Sequence, residues 1–294
     1  MANTISPWRT VLQLGLLAGL VVIGLNLQYI EDQIALRTFT PTTDLVPLIN
    51  GLGLTNSAMG ILYRAQPRID DKAAFNADCQ TSKGELELGC YYRGRIYILR
   101  IANPSLAPEM TAVLAHELLH AQWLRLSDQD RRTLGLELSS AYSGLHDTGL
   151  TQRMASYAQT EPGEQNNELH SILGTEYSNL SPWLNQDYSK LFTDRSIIVR
   201  AHEQYQGVFD QRKNQLTADL AQIQSLKSTI ASINATLATD KADGRYSAYN
   251  ALIPRQNSLV DQVNAMISDY QAGVTEYNSL SKSLDSTQLD PTVH

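Results

Sequence analysis

The chain has 294 residues, 43% of them apolar and 18% charged, with a formal net charge of −7. That length holds one sizeable core plus an appendage, or two modest domains, and the ordinary composition excludes a collagen-like or wholly disordered chain. No dense Lys/Arg run occurs, which argues against nucleic acid as a partner, because phosphate binding needs clustered positive charge.

In chain order, residues 1–10 read as a cytoplasmic N-terminus and residues 11–30, VLQLGLLAGLVVIGLNLQYI, as a transmembrane anchor. Such a segment makes roughly 30 Å of helix, the depth of a bilayer's hydrocarbon core. Trp8 and Tyr29 sit at its ends, where amphipathic rings prefer the headgroup level, and Arg9 assigns the N-terminal side to the cytoplasm. Everything after the anchor is then extracytoplasmic. A cleaved signal peptide is the alternative, disfavoured because no small-x-small cleavage site precedes the polar stretch QYIEDQ.

Residues 31–50, with Pro41 and Pro47, read as a linker, and residues 51–193 as a folded domain. Within it Gly60 to Tyr63 is a short strand candidate. Cys79 and Cys90 are the chain's 2 cysteines; outside the cytoplasm they most simply form a disulfide, and their spacing lacks the C-x-x-C form of a metal knuckle. Leu86 to Ile101, turning at Arg93-Gly94, carries β-branched and aromatic residues on both sides and predicts a β-hairpin. Pro108 then opens a helix through EMTAVLAHELLHAQWLRL, and Ser127 caps the next. Shorter helices follow, broken at Gly144, Gly149, Pro162-Gly163 and Pro182.

From residue 194 to 285 the pattern changes. Leu216, Leu220, Ile223, Leu226, Ile230, Ile233 and Leu237 recur at spacings of three and four, as do Val260, Val263, Ile267, Tyr270, Val274, Tyr277, Leu280 and Leu284 after a break at Asp243-Gly244. Two such stripes predict an antiparallel coiled-coil hairpin, each arm reaching roughly 60 Å. Pro254 is expected to bend the returning arm. Residues 286–294 form a tail. The fold class is α+β and mainly helical.

The chemistry concentrates in His116-Glu117-Leu118-Leu119-His120. Helical residues four apart share a face, so both imidazoles can hold one ion. Zn²⁺ suits imidazole nitrogen, keeps a position open for water and lowers that water's pKa. Glu117, offset around the helix, can take the water's proton as general base without ligating the metal. A pair of structural histidines on a buried helix is the plain alternative.

Residues 111–126, TAVLAHELLHAQWLRL, resemble the active-site helix of the zincin metallopeptidases. The resemblance implies a zincin-like core with a small antiparallel sheet, and Ile96–Ile101 is similar in placement to the edge strand that pairs with substrate backbone in that clan. The third His of metzincins is absent, so the resemblance places the third ligand on a later helix, as in gluzincins. Asn167-Glu168-Leu169-His170-Ser171 resembles the gluzincin Asn-Glu-x-x-small element, which implies Glu168 as that ligand. Glu176 and His170 stay open as alternatives or supporting residues. Tyr177, His170, Arg195 and His202 are possible transition-state donors; His146, in a Gly-rich turn, reads as a surface residue.

Two functions follow. One is a membrane-anchored extracytoplasmic zinc metallopeptidase acting on a peptide or protein substrate, with Glu117 catalytic and His116, His120 and Glu168 on the metal. The other is a non-catalytic envelope scaffold whose hairpin binds a protein partner, the zinc site being structural or vestigial.

Overall fold

The computed structural model describes residues 27–79 and 88–284. The expected N-terminal segment 1–10, residues 11–26 of the expected anchor, residues 80–87 and the tail lie outside that range. Among the described residues no helix is long and apolar enough to cross a membrane. The described chain is mainly helical with one three-stranded sheet, and it divides into two compact units.

The first unit, within 27–100 and 110–202, begins with α1 (Leu27–Thr38), α2 (Leu45–Gly51) and α3 (Asn56–Arg64). Two expectations are corrected here. Residues 31–38 are helical, not linker, and Gly60 to Tyr63 lie in α3, not in a strand. Thr55 caps α3 by accepting from the Ala58 N–H, and α3 buries Ala58, Ile61 and Leu62. The α1 helix crosses α3 closely at Gly60, where an added Cβ would sit 2.8 Å from the Asp32 Cβ. Asp32 is buried, and Arg125 satisfies its carboxylate through two bonds of 2.8 and 2.6 Å. That partner is 93 positions away, so no local pattern announces this helix.

The sheet comprises β1 (Arg68–Asp70), β2 (Gly89–Tyr92) and β3 (Arg95–Leu99), with α4 (Lys72–Asp78) between β1 and β2. The expected hairpin is present: β2 runs antiparallel to β3, with Cys90 opposite Tyr97. Arg93 and Gly94 both adopt positive φ, 50° and 79°, as a two-residue hairpin turn with the sheet's twist requires. The sheet as a whole is not antiparallel, because β1 adds parallel to β3. The order β1-β3-β2 makes β3 the central strand. The expectation that β3 is an edge strand is therefore also corrected; the two edges belong to β1 and, on the other side, β2. The Cys79–Cys90 disulfide ties the end of α4 to β2.

Next come α5 (Glu109–Trp123), α6 (Asp128–Leu145), α7 (Thr148–Thr160), α8 (Gln165–Glu176) and α9 (Pro182–Tyr188). The α5 helix is the hub of the core, with Leu114, Ala115, Leu118 and Leu119 fully buried. Helix α8 is buried from Asn167 to Thr175 and packs against α6 and α7. It also meets α5 closely: a Cβ on Gly174 would lie 2.5 Å from Leu119 Cδ1. Small residues at such crossings let two helices carry side chains to one point.

The second unit, within 101–109 and 203–284, is dominated by the two longest helices, α10 (Ser196–Ala242) and α11 (Tyr246–Leu284). Phe209 meets Tyr277, Arg212 meets Glu276, Gly273 faces Leu216, and Gln256 bonds Asn234. One partner rises as the other falls, so the arms are antiparallel. Ile223, Ile233, Leu237 and Val263 are buried along the seam. Pro254 lies inside α11, which continues as one helix through it.

Candidate metal centre

His116 and His120 project from one face of α5, their ring centroids 4.7 Å apart. Glu168, in the first turn of α8, faces both. Its Oε2 lies 3.8 Å from His116 Nε2 and its Oε1 lies 3.5 Å from His120 Nε2. One donor atom from each of the three residues falls within 4.8 Å of the others. Bonds of about 2.0–2.1 Å to a tetrahedral ion put ligand atoms roughly 3.4 Å apart, so this group can hold a metal ion with little adjustment. Two imidazoles and a carboxylate form a borderline donor set, and three protein ligands leave a coordination position open.

The surroundings fix these donors. Asn167 Nδ2 donates to Glu164 Oε2 at 3.0 Å, which turns its carbonyl oxygen toward His120. His120 Nδ1 lies 3.0 Å from Asn167 Oδ1 and donates its proton there, which leaves Nε2, facing Glu168, as the nitrogen available to a metal. The Tyr157 hydroxyl bonds the Glu168 carboxylate. Burial pushes Glu168 up, but the His116 hydrogen bond, the charges of both histidines and Tyr157 outweigh it and hold the group below the usual glutamate value. Burial pulls His116 down; its bond to Glu168 and the nearby Glu117 charge prevail and raise it.

Glu117 is buried beside the pair, 5% exposed. Burial raises its carboxyl above the usual value, opposed by His120, His116 and a bond from the Tyr91 backbone N–H. A raised carboxylate is a better proton acceptor near neutrality. Tyr91 belongs to β2, and β2 approaches α5 closely because residue 89 is glycine. A Cβ there would lie 2.4 Å from Val113 Cγ1 and 2.8 Å from Glu117 Oε1. An open cleft of about 320 Å³ runs over this group, bordered by β2, Leu124, Tyr157 and the α7–α8 connection.

The other sequence candidates stand elsewhere. Glu176 accepts two bonds from Arg153, at 2.8 and 2.6 Å, and lies 3.6 Å from His202. Those partners occupy it, and it is not part of the donor group. His170 is fully buried between Trp123 and Tyr188, at centroid distances of 5.7 and 5.3 Å. Burial, with the charges of His120 and His116, lowers its pKa to about 3 and keeps it neutral. Tyr177 donates its hydroxyl to Asp147 Oδ2 at 2.8 Å. Arg195 caps carbonyls at the end of α8, including Tyr177 O at 2.7 Å. His146 is the exposed, left-handed residue that ends α6, with φ 50°. None of Glu176, His170, Tyr177, Arg195 and His202 borders the cleft.

Sequence reasoning missed Tyr157, the Tyr91 amide and the close approach at Gly89. Their roles depend on where α7 and β2 pack, and only Gly89, a glycine inside a strand pattern, carried a local signal. No protein-family model, curated protein or solved structure matches the chain.

Proposed function

We propose that the chain is a zinc metallopeptidase of gluzincin-like design, anchored by residues 11–30 and acting outside the cytoplasm on a peptide or protein. The observation that carries this reading is Glu168 facing His116 and His120 while the Glu117 carboxyl stands beside them without joining the donor group. Zinc, when bound, supplies Lewis acidity to water and to a peptide carbonyl. Glu117 takes a proton from the attacking water at its carboxylate and returns it to the leaving amine. Tyr157, which borders the cleft, holds the Glu168 carboxylate with its one hydroxyl proton and so keeps that ligand turned toward the ion. The outer edge of β2, which has no strand neighbour among the described residues, pairs with an extended substrate, so recognition uses backbone more than side chains. The disulfide fits an oxidising compartment.

The test is Glu117→Gln. Turnover of a quenched peptide library is expected to fall at least 1,000-fold, about 4 kcal/mol in barrier, with zinc content unchanged. Retained turnover sinks the assignment. A second reading, an envelope scaffold, is favoured by arms of 47 and 39 residues that hydrolysis does not require. It predicts full partner capture by a variant lacking Glu117 and both histidines, and no cleavage by the wild type.

A further inference from the structure

Glu164 is an exposed residue at the N-cap of α8, ahead of Glu168 in that helix, and its side chain makes no cap bond to the helix backbone. Its carboxylate instead accepts from Asn167 Nδ2 at 3.0 Å, and Asn167 Oδ1 lies 3.0 Å from His120 Nδ1. We infer that Glu164 and Asn167 are positioning residues for the metal site, a two-link relay that holds the His120 ring with Nε2 toward Glu168. The inference rests on His120 being a metal ligand but not on peptidase activity.

An amide side chain has two nearly isosteric orientations. In one, Asn167 presents its carbonyl to His120, and imidazole Nδ1–H donates to it. In the other it presents its NH₂ group, imidazole Nδ1 must accept, and the proton moves to Nε2, the atom a metal needs bare. Asn167 is 9% exposed, so water cannot easily make the choice. A carboxylate decides it, because it can only accept and therefore selects the NH₂ side. Ser171 Oγ, 3.4 Å from the same His120 nitrogen, is the weaker neighbour, and its hydroxyl can either donate or accept, so it selects no tautomer. Glu164, which also lines the cleft, thus acts on the metal through two hydrogen bonds without being one of its donors.

Loss of an outer partner of a ligating histidine typically weakens metal binding about 10- to 100-fold. Asn167→Leu is expected to fall in that range for Zn²⁺, measured by competition with a chromogenic chelator. Glu164→Ala, one link further out and on the surface, is expected to lose roughly three- to tenfold, with an unchanged melting temperature in chelator. Glu164→Gln can still accept from Asn167 but can also donate, so it selects less firmly and is expected to bind between wild type and Glu164→Ala. In zinc-loaded wild type the His120 Nδ1 proton should give a slowly exchanging ¹H–¹⁵N signal that Glu164→Ala broadens more than Glu164→Gln does. Wild-type affinity in Glu164→Ala overturns the relay, as does a Glu164→Gln variant as weak as Glu164→Ala, since Glu164 would then act by charge alone. Zinc binding by the wild type with no effect of these variants overturns only the relay; no zinc binding by the wild type overturns the metal site and the relay together.

Discussion

Gly89 tests whether the orientation of Glu117 matters separately from metal binding. A methyl group at this position meets Val113 Cγ1 at 2.4 Å and Glu117 Oε1 at 2.8 Å, and Val113 belongs to the rigid core helix. Either β2 lifts away, costing the Tyr91 N–H bond, or the Glu117 carboxylate rotates. Gly89→Ala should therefore lower kcat about 100-fold, the usual penalty for displacing a catalytic group by about 1 Å. Zinc affinity should stay within about threefold, because His116, His120 and Glu168 lie outside the clash. Steady-state kinetics beside metal titration checks the split; parallel losses in both would show that the whole site had collapsed. At this scale the sequence was readable where chemistry depends on spacing along one helix, as for His116, Glu117 and His120. Glu168 was readable through its Asn neighbour. Tyr157 was not, since a tyrosine 11 positions before Glu168 on another helix has no period or motif to mark it.

Among elements, β2 is held to the rest of its unit by a covalent bridge as well as by its ladder with β3. It is a four-residue edge strand with one sheet neighbour, preceded by the disulfide-closed loop and pinned by Cys90 to Cys79. Cross-linking a loop of this length restricts the unfolded chain by about 3 kcal/mol in the loop-entropy account. The double variant Cys79→Ala/Cys90→Ala should lose stability of that order in urea, and amide exchange at Tyr91 should accelerate more than at Leu118. Equal acceleration at both amides would mean that the bridge serves the fold generally and not the edge strand. A second element carries a pH signature. Asp147 caps α7 by accepting from the Leu150 N–H at 3.0 Å and also accepts from the Tyr177 hydroxyl. These bonds lower its pKa, the backbone bond most. A depressed folded value stabilises the protein above the unfolded value near 3.8 and is lost as pH falls through the folded one. Asp147→Ala should cost about 1 kcal/mol at pH 7 and leave a smaller acid-induced loss than wild type below pH about 4; an unchanged acid limb would rule out this role. The elements missed from sequence share a cause. Helix α1 hides a buried Asp whose partner is Arg125, and β1 is a three-residue strand that exists only because β3 offers an edge. The hairpin and the α5 helix were legible because their signals repeat locally.

On the scale of the whole molecule, the residues that can hold a metal all lie in one compact unit, while most of α10 and all of α11 belong to the other. A ligand that binds only the folded form stabilises the part it binds by about 2.7 kcal/mol at 100 times its dissociation constant. For a unit of roughly 170 residues that corresponds to about 5 to 10 °C in Tm. The antiparallel arms close their own seam through Ile223, Ile233, Leu237 and Val263, so their helix content does not require the ion. Heating the full chain with zinc and again with excess chelator should therefore move one transition, followed by tryptophan fluorescence because Trp123 is buried in the unit that carries the three candidate donors. The second, followed by helical circular dichroism from the long arms, should stay within about 2 °C, since the ion contributes nothing to its folded state. A single transition that shifts as a whole would make the two units one cooperative body. Two transitions that both ignore the chelator would remove the metal from the unit's stability, and with it the reason for two histidines and a glutamate to share so small a space.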